Sequence, residues 1–112
     1  MTESNNPLRL ATDLLSMWLT VREIQNQSKH TLQAYERDVS DFLSFCEIKE
    51  LHLSNVEAAD LREYLAQKVE RQQLSSSSLQ RLLSSIRQFM KWAEQGHYLA
   101  FNPADDFQLK RI

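Results

Sequence analysis

SSSSLQRLLSSIRQFMKWA, residues 75–93, has the periodicity that decides the fold. Leu79, Leu82, Leu83, Ile86, Phe89, Met90 and Ala93 recur at steps of three and four, so they share one face of a helix. Ser77, Arg81, Ser84, Gln88 and Lys91 fall on the opposite face. From Arg71 to Ala93 there is no Asp or Glu, while Arg71, Arg81, Arg87 and Lys91 are basic. The chain as a whole carries a formal charge of −2, so this stretch reverses the sign locally. An apolar face for the domain and a cationic, hydroxyl-bearing face for solvent suit a helix that reads a polyanion. The alternative is an ordinary amphipathic helix with a solvated polar face.

Working outward, the 112 residues fit one domain of ordinary apolar content. One glycine and two prolines give little punctuation for hairpins and favour long helices joined by short polar links. Cys46 is the single cysteine and fits a reducing cytoplasm. No apolar run approaches the roughly 20 residues of a membrane span. MTESNNP at the start lacks the pattern of a signal peptide.

Three more helices precede the quoted one, so the spacing predicts an all-α chain with helices near 8–25, 28–47, 55–72 and 76–95. Asn6 caps the first, with Pro7 in its opening turn, and its buried stripe is Ala11, Leu14, Leu15, Trp18 and Leu19. Ser28 caps the second, which buries Leu32, Tyr35, Val39, Phe42, Leu43 and Cys46. Lys29 and Arg37 make its first half cationic, and Asp38, Asp41 and Glu47 make the rest acidic. Ser54 and Glu57 have capping-box spacing for the third helix, with Asn55 an equal candidate. Val56, Leu61, Leu65 and Val69 are its core positions, with Tyr64 partly buried. Ser75 or Ser76 caps the fourth, and Gly96 ends it as a C-terminal glycine does. The core is expected to include Leu15, Trp18, Tyr35, Phe42, Leu61, Leu65, Leu82, Leu83, Ile86 and Phe89.

Catalytic patterns do not emerge. His30, His52 and His97 are far apart and no cysteines pair, so no metal site is expected. No Gly-rich phosphate loop is present, and no cofactor is expected. Cys46 sits on an apolar face and reads as packing.

Two segments resemble a known family. Ser28-Lys29-His30-Thr31-Leu32-Gln33-Ala34-Tyr35-Glu36-Arg37-Asp38 is similar to the S-x-x-T-x-x-x-Y-x-x-D segment near the start of tyrosine recombinases. Arg81-Leu82-Leu83-Ser84-Ser85-Ile86-Arg87-Gln88-Phe89-Met90-Lys91-Trp92 is similar to their R-x-L-S-x-[LIV]-R-x-[FL]-[FY]-x-[YW] segment, with Met90 in place of an aromatic. Asn102-Pro103 stands where the family usually has N-P before its catalytic domain. Gln73 occupies a place where a turn glycine is common. The resemblance is nearest to the Xer type, the bacterial chromosome-dimer resolvases.

The resemblance implies a four-helix, SAM-like core-binding domain over 1–103. Residues 104–112 would begin a linker to a catalytic domain that lies outside the sequence, so the chain alone is not expected to be an enzyme. It implies that helices two and four clamp a double-stranded recombination half-site, and that related recombinase protomers assemble as a tetramer on DNA in the cytoplasm. Carried onto this chain, the DNA contacts are Ser28, Lys29, Thr31 and Gln33 from helix two, and Ser77, Ser78, Arg81 and Arg87 from helix four. Ser84, Gln88 and Lys91 join them from the outward face read above. Two other readings compete: a helical protein–protein module anchored by Trp18, Trp92 or Tyr98, and a helix-turn-helix built from helices three and four.

Overall fold

Four periodic stretches form four helices in the computed structural model, which describes residues 7–105 and 107–109, with side chains from residue 10 onward. Helix α1 is Pro7–Ile24, α2 is Lys29–Ile48, α3 is Ala58–Gln72 and α4 is Ser76–Gln95. A 3-10 turn, Leu53–Asn55, follows α2. No strand occurs among the described residues. The expected helix ends hold to within three residues, the largest shift being the start of α3. The Asn6 cap lies outside the described residues. The chain divides into two compact units, one up to Asn55 and one from Val56.

In the first unit α1 packs on α2. Ala11, Leu15 and Trp18 from α1, and Val39, Phe42, Leu43, Phe45 and Cys46 from α2, are buried. Burying Phe42 fully contributes about 1.5–3 kcal/mol. Tyr35, expected in the core, is only half-buried, because its ring lies across Trp18 at the margin. Asp38 is a surface acid by sequence position, yet it is buried at 3% exposure, with Arg37 Nε 3.6 Å from its carboxylate. The turn between the helices is a Schellman closure. Asn26 is left-handed at φ 67, its N–H reaches Glu23 O, and Gln27 N–H reaches Arg22 O. Asparagine tolerates that conformation better than most residues. Helix α2 ends the same way with Glu50 at φ 57, and Leu51 N–H bonded to Cys46 O.

The second unit opens with buried Val56, after which α3 starts. Its N-cap is Glu57, whose N–H donates to Asp60 Oδ2 at 2.9 Å. Ser54 and Asn55 therefore do not cap α3. Leu53 and Val56 are both buried, and seating them carries the chain beyond residue 55 before the helix begins. Ser54 instead bonds to His52 Nδ1, with Oγ at 2.8 Å. Leu61, Tyr64 and Leu65 are buried on α3, and Val69, expected there, is partly exposed. On α4 all seven residues of the apolar face are buried, together with Ser85. Leu99, Ala104 and Phe107 add buried side chains after the helix.

Gly96 follows α4 directly, as expected, but the left-handed conformation falls one residue later. The left-handed residue is His97, at φ 66, while Gly96 has an ordinary φ of −86. His97 N–H bonds to Glu94 O and Tyr98 N–H to Ala93 O. Glycine at 96 leaves room for the Tyr98 ring: a Cβ there would lie 2.8 Å from Tyr98 Cε2, so the ring would have to shift. Tyr98 stacks on Trp92, and Trp92 on Phe89, carrying the aromatic packing from core to surface.

Candidate nucleic-acid interface

The start of α2 presents one group of candidates. Ser28 has extended backbone, and its Oγ accepts from Thr31 N–H at 3.1 Å, as the sequence predicts for an N-cap. Its hydroxyl also donates to Thr31 Oγ1 at 2.9 Å. Both hydroxyls are thus engaged in holding the first turn. Lys29, His30 and Gln33 are exposed around them, and Thr31 is partly so. The amides and dipole of a helix N-terminus favour an anion, and Lys29 adds a full charge beside them.

On α4 the cap is Ser75, whose Oγ accepts from Ser78 N–H at 3.2 Å. Ser77 Oγ and Ser78 Oγ lie 3.2 and 3.1 Å from the same oxygen. Three of the four serines therefore form one hydroxyl cluster at the helix start. Ser77, Arg81, Ser84 and Lys91 are exposed and Gln88 is partly so, which is the outward face the spacing predicts. Arg81 and Lys91 are separated by about 15 Å along the axis. Between them the face offers hydroxyl and amide groups and no carboxylate.

Arg87 is placed differently. Its Nε donates to Ala104 O at 2.8 Å, and its Nη2 donates to Phe107 O. It is only partly exposed, and its guanidinium serves the segment after α4. Gln80 and Arg71 are exposed polar residues outside the candidate set. Gln80 lies three residues after Ser77 and four before Ser84, so it borders the same face. Arg71 is exposed in the last turn of α3, four residues before the Ser75 cap. The acid-free run beginning at Arg71 was the signal that could have found it.

No cluster of three or more metal-ligating side chains occurs among the described residues. None of their helices is long and apolar enough to cross a membrane.

Residues 16–97 match the model of the phage integrase N-terminal SAM-like domain. Tyrosine recombinase XerC of Leptospira interrogans is 31% identical over 88 residues, covering 79% of this chain and 28% of that protein. Tyrosine recombinase XerD of Shewanella oneidensis is 40% identical over 85 residues, covering 76% of this chain and 28% of that protein. Tyrosine recombinase XerC of Oceanobacillus iheyensis is 32% identical over 99 residues, covering 88% and 32% respectively. The chain thus spans about a third or less of the length of these curated relatives. Four helices, a cationic outward face on the last of them, and a family match over most of the length lead to one conclusion: this chain belongs to the phage integrase N-terminal SAM-like domain family.

Proposed function

We propose that the chain is the core-binding domain of a site-specific tyrosine recombinase of the Xer type, and that it holds a double-stranded recombination half-site. The observation that carries this reading is the face of α4, where Arg81 and Lys91 flank Ser84 and Gln88 with no acid between them. Lys29 and Gln33 on α2 form a second contact at a helix N-terminus. In this reading Ser28, Thr31, Ser77 and Ser78 shape the two helix starts, whose positive dipole ends approach phosphate. The net charge of −2 keeps the remaining surface from coating DNA indiscriminately.

Strand cleavage belongs, in this proposal, to a catalytic domain of the parent protein outside these 112 residues. The parent acts in the cytoplasm, as a tetramer of related protomers on DNA, in chromosome dimer resolution. The test is selection of bound duplexes from a random double-stranded pool by the 112-residue chain, followed by salt titration of the selected sequence. Affinity should fall linearly on a logarithmic salt scale, with a slope of about −0.9 for each phosphate neutralised. Binding that ignores salt, or no enrichment of any duplex, rejects the proposal. Incubation with a supercoiled plasmid carrying the selected site should leave the plasmid intact, and a covalent protein–DNA adduct would contradict the division of labour.

A further inference from the structure

The segment after α4 is folded onto its own unit by side chains the DNA reading does not use. Asn102 Oδ1 accepts from Ala104 N–H at 2.9 Å, and Asp105 N–H bonds to Asn102 O. Phe107 N–H bonds to Ala104 O at 3.3 Å. Ala104 is fully buried and Phe107 is 6% exposed, with the Arg62 guanidinium 5.4 Å from the Phe107 ring centroid. Arg87 then reaches from α4 to two carbonyls of this turn, Ala104 O through Nε and Phe107 O through Nη2.

We propose that residues 102–105 and Phe107 form a strap and that Arg87 is its latch, a positioning residue withdrawn from the DNA-contacting set. A planar guanidinium has fixed donors that can meet two carbonyls at once, whereas a lysine ammonium is a single compact charge. The site therefore demands arginine in particular. A phosphate contact at the edge of the same face would be satisfied by either residue, since charge alone serves there. The latch also joins two parts of the sequence, the Arg81–Trp92 segment and the residues that follow Asn102-Pro103. It fixes the path by which the chain leaves the helix that carries Arg81 and Lys91.

The latch can be read without DNA. Amide hydrogen exchange of the 112-residue chain should show Asp105 and Phe107 exchanging at least about tenfold faster in both Arg87→Ala and Arg87→Lys, with α3 amides unchanged. Phe107→Ala removes the ring beneath Arg62 and leaves Arg87 in place, and it should release the same amides. Where circular dichroism shows that Arg87→Ala has lost its helices, Phe107→Ala and Arg87→Lys decide. Wild-type exchange at Asp105 and Phe107 in those two variants overturns the proposal, as does full protection in Arg87→Lys. On the selected duplex the salt slope should stay within half a unit of wild type in Arg87→Lys and Arg87→Ala. A slope reduced by a full unit in Arg87→Ala and restored by Arg87→Lys would mark Arg87 as a phosphate contact and overturn the latch. Failure of the DNA reading leaves the exchange result standing, because no DNA enters that measurement.

Discussion

The rings of Trp18 and Tyr35 lie 4.8 Å apart and tilted by 34°, with the Arg22 guanidinium 5.6 Å from the first centroid and 6.0 Å from the second. Trp18 is fully buried and Tyr35 half-buried, so the pair marks the edge of the first unit's core. Trp18→Ala should cost about 3–5 kcal/mol, and Phe42→Ala or Phe89→Ala a similar amount, since each leaves a cavity where no exposure existed. Tyr35→Ala should cost less, about 1–2 kcal/mol, and Arg22→Ala about 0.5–1 kcal/mol for the cation–π contact. Urea unfolding of the four single-ring and Arg22 variants, compared at constant slope, checks the order. Equal losses for Tyr35→Ala and Trp18→Ala would contradict the edge position.

The helices and the exposed face of α4 were legible because both rest on the 3.6-residue period, which Leu79 through Ala93 follow without interruption. The Ser28 and Ser75 caps were legible because a hydroxyl placed just before a periodic run has one favourable local partner. The left-handed closures after the helices were not, although the helix ends themselves fall within three residues of the periodic reading. Glu50, Gln73 and His97 take left-handed backbone without being glycine or asparagine, and nothing in their side chains announces it. Burial of Asp38 was hidden because a polar residue one step from the apolar stripe reads as surface. The Arg87 contacts were hidden for a different reason: their partners are backbone carbonyls 17 and 20 residues away, and every residue type carries a carbonyl.

Gln73 and His97 give a stability prediction of their own. Their φ angles of 53 and 66 place a Cβ against the following carbonyl, which costs roughly 1–2 kcal/mol. Gln73→Gly and His97→Gly should each stabilise the fold by about 0.5–1 kcal/mol, after the extra entropy of glycine in the unfolded chain is subtracted. Gly96→Ala should do the opposite despite its ordinary φ, because the new methyl meets the Tyr98 ring. Tyr98 is 46% exposed and can swing away, so that loss should stay near 1 kcal/mol. Thermal melts of the three variants test the signs, and stabilisation by Gly96→Ala would mean the Tyr98 stack is absent in solution.

The Ser28 cap separates folding from binding. Ser28→Ala should lose about 1 kcal/mol of stability by freeing Thr31 N–H. Ser28→Asp restores an acceptor and a charge suited to a helix N-terminus, so stability should return to wild type or slightly above. The same aspartate beside Lys29 would repel a phosphate, and DNA affinity should drop by about tenfold or more at low salt. An unchanged affinity in Ser28→Asp would remove the start of α2 from the interface while leaving α4 in it.

Arg81 and Lys91 should fail in different ways. Arg81 lies one turn into α4, exposed, with Ser77 and Ser84 on either side of it on the helix face. Its planar fork matches the O6 and N7 acceptors of guanine in the major groove. Lys91 lies about 15 Å further along and offers a point charge suited to phosphate. Arg81→Ala should therefore cost about 1–3 kcal/mol on the selected duplex and flatten the preference at one base pair. Lys91→Ala should weaken all duplexes alike and reduce the salt slope by about one unit. Titrations on a set of single-base-pair variants, each at several salt concentrations, separate the two losses. If Arg81→Ala leaves the ranking of duplexes unchanged and lowers only the slope, Arg81 is a second phosphate contact, and base readout must come from the exposed amides of Gln80 or Gln33 instead.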